Sequence, residues 1–241
     1  AFKNAFHGRT SAAVAATDNP KINAPLNQQQ EVTFLAFNDT NALVSELKKG
    51  DVCAVIFEAI QGVGGLDEPS ESFIYDMERL CKQYEACLIA DEVQSGFGRS
   101  GTFFAYQKYK IEPHIVTMAK GMGNGFPIGG ILVHPSIKAQ YGMLGTTFGG
   151  NHLACAASVA VLDVLEEEKL QSRASELEPY FVAQAKNIPE IKKIKGRGLM
   201  LGLEFDFEVG PLRKTLIYDK KIFWNHNYSI FFITVCILFN Y

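Results

Sequence analysis

Short apolar runs alternate with stretches of helical spacing along this chain. Residues 32–37, 52–57, 87–90, 115–119 and 128–134 have the length and apolar content of β-strands, and several are apolar at successive positions, as strands covered on both faces are. Between them, residues 40–49 and 70–84 repeat at helical intervals. In the second of these, Phe73, Met77, Leu80 and Tyr84 form one stripe behind Ser70, a residue type suited to capping a helix N-terminus. The alternation predicts an α/β fold whose mainly parallel sheet is flanked by helices.

Farther along, residues 152–169 form a helical stretch that opens on the small residues Ala154, Ala156, Ala157 and Ser158 and ends in a charged run. It is expected to join two domains. Residues 172–186 read as another helix, and 191–194 and 199–205 as strands on either side of a Gly196-Arg197-Gly198 turn. The expected division is a large domain over 1–151, a linking helix and partial small C-terminal α/β domain over 152–223, and a divergent tail over 224–241. That tail has no charged residue and an apolar run at 230–239. The run is too short for a membrane-spanning helix, which needs about 20 residues.

Composition narrows the function classes. The chain has 241 residues, with 23 Lys and Arg against 26 Asp and Glu for a net charge of −3. A basic surface suited to nucleic acid is not expected from that balance. Its five cysteines are odd in number and form no CxxC pair, which argues against a disulfide framework and a zinc ribbon and favours a reducing compartment. The expected location is the cytoplasm, or the mitochondrion in a eukaryote. Because the chain opens on Ala1, further sequence with any targeting segment is expected to precede it.

Two apolar runs end on residues with chemistry. LIAD delivers Asp91 to the C-terminal end of a strand and into the glycine-containing EVQSGFGRSG, and HIVTMA delivers Lys120 into the turn GMGNG. Ligands of open α/β sheets bind at such strand ends. Singly, an Asp after a strand is usually a turn residue and a Lys is usually solvated. If the two strands are parallel neighbours, an acid and an amine stand together.

Taken in order and spacing, LIADEVQSGFGRSG, MAKGMGNGFPIGG and TTFGGNHLAC resemble the class III, fold type I, pyridoxal phosphate-dependent aminotransferases, over approximately residues 1–223. The resemblance implies that Lys120 is the amine that joins covalently to pyridoxal 5'-phosphate and later shuttles a proton. It implies that Asp91 keeps the pyridine nitrogen protonated, and that Gln94 hydrogen-bonds the cofactor's phenolic oxygen. Thr147 would reach the cofactor phosphate of a neighbouring subunit, which makes a homodimer with shared sites the expected assembly. In AFHGRT, Phe6 would cover the cofactor ring and Arg9 would hold a substrate carboxylate, for which a guanidinium's paired donors are suited. Glu58 matches the family glutamate that pairs with a mobile arginine.

Residue type alone gives each of these positions a plainer reading as well: core packing for Phe6, a surface ion pair for Arg9, a loop amide for Gln94, a turn cap for Thr147 and a strand-end acid for Glu58. His7 has no assigned role, and the other four histidines have no metal-ligand spacing. The family more often has Pro and Glu where this chain has Ala59 and Val63, which bears on substrate choice.

The implied reaction moves the terminal amine of N2-acetylornithine to 2-oxoglutarate, a step of arginine biosynthesis. Ornithine, succinylornithine and 4-aminobutyrate are the competing donors. In another class stands a catalytically silent fragment that acts only through a dimer surface. That alternative arises because the family's glycine- and serine-rich phosphate cup should precede Ala1 and the arginine partner of Glu58 should follow in the small domain, so that this chain alone is expected to be inactive.

Overall fold

The computed structural model describes residues 1–220, 225–227 and 230–234. After a short helix α1 (Ser11–Ala15), the chain forms α2 (Thr40–Leu47), β1 (Ala54–Phe57), α3 (Glu71–Gln83), β2 (Cys87–Asp91), β3 (Ile115–Met118) and β4 (Gly130–Val133). The four strands make one sheet in the order β1-β2-β3-β4, with the first two pairings parallel and the last antiparallel. This is the mainly parallel sheet with flanking helices that the alternating pattern implies.

Local chemistry explains the helix boundaries. Ser70 Oγ accepts from the N–H of Phe73 at 3.3 Å, and Asp39 Oδ1 accepts from that of Ala42 at 2.9 Å, so one otherwise unpaired donor is satisfied at the start of each helix. The stripe of α3 packs as its spacing requires. Phe73, Met77 and Leu80 are buried with Phe57, Leu88 and the α2 residues Leu43 and Leu47. Burying side chains of this size contributes about 1.5–3 kcal/mol each, which fastens both helices to the sheet.

A second sheet follows α4 (His152–Glu167) and α5 (Leu170–Ala185). It contains β5 (Ile191–Arg197), β6 (Met200–Phe205), β7 (Asn225–Asn227) and β8 (Ile230–Thr234), all paired antiparallel in the order β5-β6-β8-β7, with α6 (Gly210–Tyr218) between β6 and β7. Its β5–β6 turn lies against the first unit. Gly198 has φ +59° and sits where an added Cβ would be 2.5 Å from the Arg99 carbonyl oxygen, so the close approach requires glycine.

Two expectations are corrected. Residues 32–37 are not a strand: only Leu35 bridges Phe2, and the left-handed turn at Asn4, φ 63°, carries the chain away after three residues of contact. The strand expected at 128–134 is shorter, and it runs antiparallel at a sheet edge with Ile131, Leu132 and Val133 exposed. Of the tail, β7 and β8 are described. The apolar stretch beyond Thr234 lies outside the described residues. No helix among the described residues is long and apolar enough to cross a membrane.

Candidate active site

Parallel pairing sets three chemical groups side by side. Glu58 follows the last residue of β1, Asp91 ends β2, and Lys120 comes two residues after β3, so all three lie at the carboxyl ends of adjacent strands. Register adds a fourth group, because Asp91 lies opposite Thr117. The Thr117 hydroxyl donates to Asp91 Oδ1 at 3.1 Å, and the Val93 N–H donates to the same oxygen at 3.0 Å. Thr117 carries no motif, yet aligning LIAD with HIVTM as parallel neighbours would have found it.

The segment before α1 completes the cluster. His7 Nδ1 lies 2.7 Å from Asp91 Oδ2, with both side chains buried. The His7 N–H donates to Thr17 Oγ1 at 2.9 Å, and Asp18 Oδ2 accepts from Asn4, so the turn after α1 fixes the backbone that carries Phe6 and His7. Phe6 is partly buried and its N–H donates to Glu58 Oε1 at 2.9 Å. The other Glu58 oxygen accepts from Gly62 at 2.9 Å. Glu58 thus ties the Phe6 segment to the turn after β1.

The environment changes the acid–base properties of two of these groups. Burial pushes the Glu58 carboxyl up to about 7 with help from the Asp91 charge, against the pull of His7 and of the Phe6 and Gly62 N–H groups. Lys120 is open to solvent over part of its length, yet the packing around it displaces enough water to lower its pKa. The Asp91 and Glu58 carboxylates oppose that change and the Arg99 cation adds to it. A lowered pKa enlarges the fraction of free amine at neutral pH. Lys120 also has φ 44°, a left-handed conformation that costs a non-glycine residue about 1–3 kcal/mol and that recurs at functional sites.

The loop after Asp91 is held from within. Glu92 is fully buried and accepts from the Ser95 hydroxyl at 2.7 Å and from the backbone N–H groups of Ala105 and Tyr106 at 2.9 Å each. Gln94 rides on this loop and lies over Gly62, where an added Cβ would come within 2.5 Å of the Gln94 amide. Arg9 and Thr147 lie apart from the bonded cluster. Both are exposed, Thr147 in a segment where nearly every side chain faces solvent.

The model of the family described as aminotransferase class III matches residues 1–219. Acetylornithine aminotransferase of Aquifex aeolicus is 41% identical over 210 residues, 86% of this chain and 55% of that protein. Succinylornithine transaminase of Photorhabdus laumondii is 40% identical over 214 residues, 85% of this chain and 52% of its own length. Among solved structures, ornithine aminotransferase of Toxoplasma gondii superposes with a TM-score of 0.82 at 28% identity, covering 96% of this chain and 58% of that one. This chain spans about half the length of the curated relatives it matches. With its match over residues 1–219 and its acid and amine on neighbouring strand ends, the chain belongs to the class III aminotransferases.

Proposed function

We propose that this chain forms the cofactor-binding part of a pyridoxal 5'-phosphate-dependent aminotransferase that takes the terminal amine of N2-acetylornithine and passes it to 2-oxoglutarate. The observation that carries the reading is the juxtaposition of Asp91 and Lys120 at the ends of parallel neighbours, with the lysine's pKa lowered by its surroundings.

The donor set fits the cofactor. A carboxylate offers about four acceptor directions, and Asp91 uses two on Oδ1 and one on Oδ2, which leaves one on Oδ2 for a ring N–H. Lys120 supplies the primary amine that an aldehyde requires. When bound, pyridoxal phosphate supplies an electron sink for the carbon that loses its proton. Lys120 holds and moves that proton, Asp91 favours the protonated ring nitrogen by its charge, Phe6 covers the ring, and Gln94 donates to the phenolic oxygen. Arg9 orients the substrate carboxylate, and Glu58 serves as partner to a mobile arginine. Thr147 reaches the phosphate of a second copy in a cytoplasmic homodimer, and the chain divides into its two domains after residue 151.

The similarity to acetylornithine aminotransferases supports the acylated donor. Succinylornithine is the second reading, supported by the 40% identity to the Photorhabdus enzyme. Borohydride reduction after addition of pyridoxal 5'-phosphate, followed by peptide mapping, tests the site. The label is expected on Lys120 and absent from Lys120→Ala. A label on another lysine, or none, would sink the assignment. Donor choice is read from the cofactor absorbance change in protein that also carries the phosphate cup and the arginine partner expected outside this chain, with acetylornithine, succinylornithine, ornithine and 4-aminobutyrate, and the largest rate is expected with the first.

A further inference from the structure

Two non-glycine residues of the site have left-handed backbones, and they meet. Lys120 has φ 44° and Phe97, in the loop after β2, has φ 60°. A bulky side chain rarely takes that conformation, and such residues persist where their surroundings over-determine the backbone. Contact between them runs through Gly121. A Cβ added there would stand 3.3 Å from Phe97 Cβ and 3.7 Å from its ring atoms Cγ and Cδ2, so the Phe97 side chain lies directly against the backbone that follows Lys120.

Phe97 has a fixed backing. Its ring centroid is 5.3 Å from that of Phe103 and 6.2 Å from that of Phe104. On either side of it, the Gly96 N–H donates to the Glu92 carbonyl at 3.0 Å and the Gly98 N–H to the Phe103 carbonyl at 3.1 Å. The turn that carries Lys120 is closed by short-range bonds instead, from Met122 to Ala119 and from Gly123 to Lys120. Pairing with β4 holds β3 as far as Met118. Lys120 thus spans two fixed points, the end of β3 and the surface of Phe97.

Resting on the reading of Lys120 as the amine that joins the cofactor, we propose that Phe97 is a positioning residue: a rigid aromatic stop against Gly121 that keeps Lys120 left-handed and its amine on the Asp91 side of the strand ends. Were φ to return to the ordinary negative range, the Cα–Cβ bond would swing to a new direction and carry the amine with it. The carboxylates of Asp91 and Glu58 both act on the charge of the amine from where it now stands. The contact also requires that the residue after Lys120 have no side chain.

The test uses the whole chain, first without cofactor. NMR couplings that report φ are expected to give a positive value at Lys120 in the wild type and in Phe97→Leu, which keeps a bulky stop, and a negative one in Phe97→Ala. A positive value in Phe97→Ala, or a negative one in the wild type, would overturn the proposal. Borohydride trapping across a pyridoxal 5'-phosphate titration then reads the placement of the amine, with folding checked by circular dichroism. Phe97→Ala should need about tenfold more pyridoxal phosphate for half-labelling of Lys120, because the left-handed backbone must be regained on binding, while Phe97→Leu should stay within about threefold of the wild type. Gly121→Ala sets a methyl against the ring and should lose about tenfold as well, yet adding Phe97→Ala to it should cost little more, because both changes break one contact. Single losses that multiply to about a hundredfold would show two independent effects and overturn the proposal. So would wild-type labelling in Phe97→Ala or, should that variant not fold, in Gly121→Ala. A wild type labelled on another lysine, or on none, would refute the reading of the site and with it the purpose assigned to Phe97, an outcome distinct from an unchanged φ.

Discussion

Two segments carry family motifs beyond the strand ends, and they are held in opposite ways. The loop after β2, residues 92–105, bonds to itself through Glu92, packs Phe97, Phe103 and Phe104 together, and is reached from the second sheet by Arg197 and Leu199. The segment after β4, residues 134–151, has mainly short-range bonds such as Met143 to Gln140 and Gly149 to Thr146, with Tyr141, Met143, Leu144 and Phe148 exposed. Gln94 is therefore set in place by its own chain, whereas Thr147 is presented on a surface. A residue whose surroundings are internal can be prepared before any ligand arrives. One on an open segment depends on what covers it.

The largest expected effect comes from undoing the first arrangement. In Glu92→Gln, either orientation of the amide sets an NH2 against a backbone N–H of Ala105 or Tyr106. Stability should fall by about 3–5 kcal/mol, the range for breaking a buried charged network. Urea unfolding measures it, and a loss under about 1 kcal/mol would show that the loop is held by its aromatic packing instead.

Glu58 sharpens the comparison through pH. An unfolded glutamate releases its proton near 4.5, while the folded Glu58 keeps it to about 7, so between those values the folded chain binds the additional proton. The stability this contributes is complete below 4.5 and is lost as pH rises through about 7. Wild-type stability should therefore drop by roughly 2–3 kcal/mol more than that of Glu58→Gln between pH 4.5 and 7.5. The difference in slope is the readout, since glutamine also disturbs the bond to Gly62. Parallel slopes would remove Glu58 as the titrating group.

Arg197 tests whether the second sheet contributes. Its Nε donates to Glu68 and its Nη2 to the Ala105 carbonyl, both at 2.8 Å, while the guanidinium lies over the Tyr109 ring. Arg197→Ala should cost about 2 kcal/mol and Arg197→Lys somewhat less, because an ammonium cannot make both bonds in the same plane. Equal losses in urea unfolding would mean that the pair of bonds is not what matters.

These cases also show what could be read from the sequence. Helix α3 was legible because its cap and its stripe are local, and Asp91 and Lys120 were legible because each ends an apolar run in a recognisable motif. The contacts of His7 with Asp91 and of Arg197 with Glu68 and Ala105 were not, since each spans at least 84 residues and exists only once the sheets are built. Residues 32–37 have strand composition, but composition cannot supply a long enough partner. The open surface of β4 follows from its place at a sheet edge, which no pattern within β4 encodes.

The smallest effect on stability is expected at Thr147. Its side chain is exposed, and the bonds beside it are made by Thr146 and Gly149, so Thr147→Ala should shift unfolding by less than about 0.5 kcal/mol. Function should respond differently from stability. In the proposed homodimer Thr147 reaches the cofactor phosphate of the second copy, so the substitution should reduce retention of pyridoxal phosphate only where copies associate. Cofactor content measured across a protein dilution series should show wild type and variant converging as the dimer dissociates, with unchanged unfolding midpoints at the dilute end. A loss of more than about 1 kcal/mol in the dilute chain would mean that residues 134–151 are held by their own chain after all, and the contrast with the loop after β2 would fail. Equal retention at every concentration would leave the contrast in place and remove the proposed phosphate contact.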